Sequence, residues 1–293
     1  VSDAGIVVLD KPGGMTSHDV VARVRRILGT RRVGHAGTLD PMATGVLVIG
    51  VGRATRLLGY LAATDKDYTA TMRLGSATST DDAEGDIVAV ADATVLAGVT
   101  DERIRAAVAG LVGTIEQRPS SVSAIKVDGR RAHARVRAGE EVDLAPRRVR
   151  VDRLDVTAIR RTPDAVDLDV EVTCSTGTYV RALARDLGEQ LGVGGHLTAL
   201  RRTRVGSFDA PAALADLEAG GAALLLPMGR VAAAEFPVWT VDEESAGDVR
   251  QGRRIAWSGP DTDDPVAVLG EDGSLLALAR RDAGSARYLA VLA

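Results

Sequence analysis

The sequence predicts an α+β fold followed by a small β-rich unit, and three observations carry this. Helical and strand periodicities alternate along the chain without the strand–helix–strand rhythm of a doubly wound sheet. The strand signals are of two kinds, a continuous apolar run at 46–51 and half-buried alternation at 68–74 and Val166–Cys174. Beyond Pro237 the pattern changes to short β segments.

From the N-terminus, Val20, Val21, Val24, Ile27 and Leu28 recur at helical spacing over 18–28, with Arg23, Arg25 and Arg26 on other faces and Gly29 as a stop. Residues 34–45 hold Gly34, Gly37 and Gly45 and are expected as a loop. The β-branched run 46–51 predicts a buried strand. In 68–74, Tyr68, Ala70, Met72 and Leu74 alternate with Thr69, Thr71 and Arg73, which turns Tyr68 towards the core. Thr100 is placed to cap a helix running to Leu111, and Thr178 to cap one through Leu191. Between 116 and 148 the periodicity fails and Pro119, Gly129, Gly139 and Pro146 act as breakers; a segment this long inside a compact domain is expected to be functional or mobile. Asp272 and Gly273 form a hairpin turn between strands at 266–269 and 274–279, and the alanine-rich run near Ala222 reads as a loop or helix end. A domain boundary is expected near Ala234. It gives residues 1–234 and 235–293, the second short enough to lean on the first for stability.

Composition narrows the function. The chain has 293 residues, 45% of them hydrophobic, enough for a sizeable core. No apolar run approaches the roughly 20 residues of a membrane helix, and the first ten residues show no basic leader or cleavage pattern; a cytoplasmic protein without membrane contact is expected. A single cysteine, Cys174, excludes an internal disulfide, and His18, His35, His133 and His196 do not fall at metal-ligand spacing, so no metal is expected. The net charge of −4 hides an asymmetry: residues 1–206 carry 29 basic and 26 acidic side chains, and 207–293 carry 7 and 14. Residues 118–161 hold 12 basic against 6 acidic, a local +6 that could face a polyanion or be a solvated surface.

Asp40 is the only acidic residue between Asp19 and Asp65, with Arg25, Arg26, Arg31, Arg32, Arg53 and Arg56 flanking it in sequence. Such surroundings favour an ionised, nucleophilic carboxylate. Pro41 biases Asp40 towards extended angles, and the glycines allow another backbone to approach; an ordinary Asp-Pro turn is the alternative.

The stretch Gly34-His35-Ala36-Gly37-Thr38-Leu39-Asp40-Pro41-Met42-Ala43-Thr44-Gly45 resembles the catalytic motif of the TruB family of tRNA pseudouridine synthases. Further stretches resemble family motifs in family order: Gly5-Ile6-Val7-Val8-Leu9-Asp10-Lys11-Pro12-Gly13-Gly14-Met15-Thr16-Ser17, Asp65-Lys66-Asp67-Tyr68, Arg118-Pro119-Ser120 with Ser123-Ala124-Ile125-Lys126, and Cys174-Ser175-Thr176-Gly177-Thr178-Tyr179-Val180-Arg181, then 197–202.

The resemblance implies a pseudouridine synthase fold: a mixed, mainly antiparallel sheet flanked by helices, an RNA-gripping thumb insertion at about 116–148, and a PUA-like C-terminal domain. It implies conversion of uridine 55 in the tRNA T-loop to pseudouridine without a cofactor. Asp40 is the implied nucleophile, Arg181 its partner, and Tyr68 stacks on the target base and is a candidate for removing the C5 proton. His35 is implied to enter the T-loop and help hold the nucleotide everted. Lys11 and Leu200 match pocket positions, Lys126 lies in a motif of the thumb, and Asp82 matches a position joined to the arginine. Where relatives carry aromatics, Val122 and Arg135 stand here, and His133 replaces a common tyrosine. Attack at C1′, attack at C6 and a glycal route all stay open. The implied partner is the tRNA T-stem-loop, with a monomer and no obligate protein partner. A nucleotide-binding reading of Gly50 to Thr55 lacks a third glycine and a βαβ setting. A non-catalytic tRNA-folding chaperone and a guide-RNA-dependent synthase remain as alternatives.

Overall fold

A computed structural model describes residues 4–120, 126–127, 130–131 and 144–293. The chain forms two compact units, Val1–Ala63 with Arg204–Ala293, and Thr64–Thr203.

The first unit opens with strand β1 (Gly5–Lys11), helix α1 (Ser17–Ile27), strands β2 (Val33–Ala36) and β3 (Thr44–Val51), and a single turn α2 (Leu58–Leu61). β3 pairs antiparallel with β1, Gly5 opposite Val51 through Lys11 opposite Gly45, and with β2, Val33 opposite Val51 through Ala36 opposite Val48. Both faces of β3 are covered, Val46 and Val48 in a core with Leu57 and Leu61, Leu47, Ile49 and Val51 in a core with α1, which is why it is apolar throughout instead of alternating. A Cβ on Gly34 or Gly50 would meet the Leu58 side chain at 3.0 Å, so these glycines let α2 close onto the sheet. α1 starts at a capping box, the Thr16 hydroxyl accepting from Asp19 N–H while the Asp19 carboxylate accepts from Thr16 N–H. Its apolar face, Val20, Val21 and Val24, packs with Leu9, Leu47 and Ile49. Residues 34–36, expected in a loop, belong to β2. Four residues that include one glycine and no alternation are too few to show a strand period.

The second unit contains β4 (Lys66–Leu74), β5 (Ser76–Thr78), β6 (Ile87–Val90), α3 (Ala93–Ala97), α4 (Asp101–Ala109), β7 (Gly113–Gln117), the two-residue strands β8 (Lys126–Val127) and β9 (Arg130–Arg131), β10 (Arg147–Arg161), β11 (Val166–Cys174), α5 (Val180–Leu191) and β12 (Gly195–Val205), within which the chain returns to the first unit. Its sheet runs β12, β4, β11, β10, β7. β4 and β11 pair from Lys66 opposite Cys174 to Leu74 opposite Val166. Tyr68, Ala70, Met72 and Leu74 are buried, the alternation read from the sequence, and Lys66 extends it by one residue. Thr100 caps α4 through Arg103 N–H.

The C-terminal part of the first unit holds α6 (Leu214–Gly220), α7 (Met228–Glu235), β13 (Val238–Val241), α8 (Glu243–Arg250), β14 (Val266–Gly270), β15 (Leu275–Asp282) and β16 (Ser285–Val291). The four strands form one sheet in chain order, with β13 and β14 parallel. The β14–β15 turn has Gly273 at φ 75°, where glycine is required. Residues 235–293 share a core with the N-terminal segment: Leu269, Leu275 and Leu278, together with Met228 and Val231 of α7, pack with Ile6, Val8, Val46 and Leu57.

Candidate active site

In the first unit, the segment carrying Asp40 is held by two buried polar side chains. Lys11 is fully buried and its ammonium donates to the carbonyls of Pro12 at 2.9 Å, Met15 at 2.6 Å and Pro41 at 3.1 Å. A buried ammonium needs such acceptors, so Lys11 draws the 12–15 turn and the residue after Asp40 together. Gly14 N–H also donates to the Pro41 carbonyl, at 2.9 Å. Ser17, 1% exposed, accepts from Leu39 N–H at 2.9 Å and donates to the Leu39 carbonyl at 3.1 Å. Asp40 therefore sits between two pinned residues, Leu39 and Pro41. Its own carbonyl accepts from Ala43 N–H at 3.1 Å, closing a tight turn, and Gly37 at φ 87° lets the chain leave β2 sharply. Asp40 is partly exposed. The His35 ring lies edge-on to His18, centroids 5.4 Å apart.

In the second unit, Arg181 is 4% exposed in the first turn of α5. One guanidinium nitrogen donates to the Thr80 carbonyl at 2.6 Å and the Ser120 hydroxyl at 3.3 Å, and lies 3.3 Å from the Asp82 carboxylate. Asp82, 3% exposed, also accepts from the Thr80 hydroxyl at 2.6 Å and Glu84 N–H at 3.0 Å. A cation at a helix N-terminus opposes the helix dipole, and Asp82 offsets that cost. The helix cap differs from the expectation. The cap position is Tyr179, and the Thr178 hydroxyl instead donates to the Ser175 carbonyl at 3.0 Å. Threonine in a turn bonds its own local backbone as readily as it caps a helix, and the sequence does not separate the two uses.

Tyr68 and Leu200, each 8% exposed, lie on the neighbouring strands β4 and β12. Lys66 shares the buried face of β4 with Tyr68. Burial, and then the charge of Arg202, lower its pKa to about 8. The Lys126 backbone lies in β8. The Lys126 side chain, with Val122, Ser123, Ala124, Ile125, His133 and Arg135, lies outside the described residues.

The Arg-rich stretch is less uniform than its composition. Arg150 pairs with Asp65 at 2.8 Å and Asp152 at 2.9 Å, Arg153 with Glu171 at 2.9 Å, Arg161 with Asp101 at 2.6 Å, and Arg160 with Asp169. Acids of β11 and α4, with Asp65 before β4 and Asp152 of β10 itself, thus offset charge on β10. Among the described residues no three His, Cys, Asp or Glu side chains are grouped to hold a metal, and no helix is long and apolar enough to cross a membrane.

Three family models match the chain: the TruB family pseudouridylate synthase N-terminal domain over 25–180, the tRNA pseudouridylate synthase B C-terminal domain over 181–226, and the tRNA pseudouridine synthase II C-terminal region over 236–293. The chain is 56% identical to a tRNA pseudouridine synthase B of Cutibacterium acnes, covering 99% of this chain and 98% of that one. A tRNA pseudouridine synthase B of Rhodococcus jostii is 62% identical over 85% of this chain and 82% of its own. Among solved structures, a chain from a Cbf5–Nop10–Gar1 complex aligns with TM-score 0.76 at 27% identity, covering 99% of this chain and 85% of that one. A chain of an H/ACA ribonucleoprotein bound to a substrate RNA containing 2′-deoxyuridine aligns with TM-score 0.75 at 25% identity, covering 99% and 86%. Family models spanning most of the sequence and relatives above 50% identity over nearly its full length agree with the motif order: the chain belongs to the TruB family of tRNA pseudouridine synthases, enzymes that isomerise uridine in tRNA.

Proposed function

We propose that this enzyme converts uridine 55 in the T-loop of tRNA to pseudouridine, alone and without a cofactor, with the Asp40 carboxylate as nucleophile. The observation that carries the reading is the double pinning of the Asp40 turn by Lys11 and Ser17. A carboxylate fixed in advance loses little orientational freedom at the moment of attack. The reaction breaks the N1–C1′ bond, turns the detached base, and joins C5 to C1′; the proton leaving C5 is balanced by one gained at N1. The pocket must hold the free base and keep water away.

In this reading Tyr68 stacks on the everted base and takes the C5 proton, Arg181 pairs with the nucleophile while Asp82 fixes its guanidinium, Leu200 shapes the pocket, and His35 fills the gap left in the T-loop. Unstacking costs a few kcal/mol, which the new stacking offsets. The segment at about 116–148, with Lys126, grips the RNA, and residues 235–293 form the PUA-like domain beside a catalytic domain of residues 1–234. The enzyme acts in the cytoplasm as a monomer.

The test uses purified protein with an unmodified tRNA transcript and no other component, followed by mapping of pseudouridine. Modification confined to position 55 supports the reading. Modification only when a guide RNA is added favours the guide-dependent alternative, and refolding of tRNA without modification favours the chaperone.

A further inference from the structure

We propose that Gln117 and Arg147 are positioning residues for Arg181, acting through Tyr179, so that the root of the 118–146 insertion sets the catalytic arginine; this rests on the pseudouridine synthase reading above. Gln117 closes β7 and Arg147 opens β10, and the two are opposite each other in the sheet. They are thus the last residue before the insertion and the first after it. Both reach the same residue. The Gln117 side chain, fully buried, donates to the Tyr179 carbonyl at 3.1 Å and accepts from Tyr179 N–H at 2.8 Å. The Arg147 guanidinium lies 5.8 Å from the centre of the Tyr179 ring, within range of a cation–π contact.

Tyr179 is the cap of α5, and its own side chain makes no capping bond. The first turn of a helix leaves orphan donors and acceptors that are usually met by a local cap. Here Gln117, 62 residues away in sequence, fixes the backbone at that point. Arg181 follows two residues later. Its guanidinium also binds Ser120, three residues beyond Gln117, and Ser120 donates to Thr80, the same carbonyl that accepts from Arg181. One turn further along α5, Arg185 donates to the Arg118 carbonyl at 2.7 Å and pairs with Asp81 at 3.2 Å. Residues 117–120 are therefore bonded to α5 at three successive places. A displacement of the insertion's root would move the start of α5, and with it the guanidinium.

The consequence is a division of labour that binding alone does not require. A residue that only supported the fold would lower stability without changing the bound reaction. A positioning residue changes the rate of the bound complex, because small misplacement of a reacting group is costly. The experiment measures single-turnover rate at saturating enzyme, tRNA affinity and the thermal melt for wild type, Gln117→Met and Arg147→Gln. Gln117→Met keeps the length of the side chain and removes both bonds to Tyr179. Arg147→Gln removes the cation over the ring at a partly exposed position and decides the matter if Gln117→Met does not fold. We expect each folded variant to slow the single-turnover rate by about tenfold or more, with affinity changed by about twofold or less. An unchanged rate, or a loss of affinity that accounts for the whole defect, overturns the proposal. The wild type keeps the two failures apart: absence of pseudouridine from the wild type sinks the functional reading, whereas normal wild-type turnover with indifferent variants sinks only this one.

Discussion

Removing the Ser17 hydroxyl is a small perturbation with a large expected effect on catalysis. In Ser17→Ala the helix α1 gains a residue of better propensity, and no volume beyond one oxygen is lost. Two backbone groups of Leu39, now bonded at 2.9 and 3.1 Å, are left facing a fully buried methyl. Leu39 is itself 4% exposed, so water replaces the hydroxyl poorly. Each unsatisfied buried group costs about 1–3 kcal/mol, and partial relaxation of the turn brings the pair to a net cost of about 2 kcal/mol. For a chain of 293 residues that is a fall in Tm of roughly 3 °C. The relaxation that limits the stability loss is the same movement that misplaces Asp40, so the single-turnover rate should fall about ten- to a hundredfold while tRNA affinity stays within a few fold. Thr16→Ala is the matched control. It removes the cap of the same helix, costs about 1 kcal/mol, and breaks no bond to residues 39–41. Its melt should fall and its rate should not. A Ser17→Ala enzyme with an unchanged single-turnover rate, or a Thr16→Ala enzyme equally slow, would refute the claim that Ser17 holds the nucleophile's turn.

Three other outcomes are expected. Arg181→Lys keeps the charge near Asp82 but loses the planar guanidinium fork that can engage a carboxylate through two hydrogen bonds, so single-turnover chemistry should slow more than tRNA binding weakens; an equal loss in both would remove Arg181 from the chemical step. Lys66 has a folded pKa near 8 against 10.5 unfolded, so between those values the unfolded chain binds more protons and stability should rise with pH through that window. A Lys66→Met protein, followed by thermal melts from pH 7 to 10.5, should lack that rise, and an identical profile would show that Lys66 is not the titrating group. Deleting a span within residues 120–140 should weaken tRNA binding and flatten its salt dependence by close to one log-log unit for each phosphate no longer neutralised; a collapsed melt would instead mark the segment as packing.

The elements that were legible share one property, a periodicity imposed by burial. β11 alternates because one face meets the core, and its sequence reading, Val166–Cys174, coincides with the strand. β3 was legible as a continuous run because its two faces enter two different cores, Val46 and Val48 in one, Leu47, Ile49 and Val51 in the other. β2 was not, and neither was the hairpin strand β6, whose Ile87, Val88 and Val90 are all more than 60% exposed and so carry no inside-outside pattern. At the site, motif resemblance brought Lys11, Asp40, Asp82 and Arg181 to attention, and the structure adds why Lys11 and Asp82 are where they are. Ser17 and Gln117 escaped the reading. Serine at a helix start and glutamine at a strand end are common, and their roles arise from hydrogen bonds to residues 22 and 62 positions away. A local charge count also leaves out that the arginines of β10 meet acids brought from β11 and α4.

Asp40→Asn tests the central claim most directly, because it removes the nucleophilic charge and almost no contact surface. Measured as pseudouridine formed at position 55 of an unmodified transcript under single-turnover conditions, alongside tRNA affinity, the variant should form none and should bind tRNA within a few fold of wild type. Turnover near the wild-type rate would contradict the assignment of Asp40 as the nucleophile.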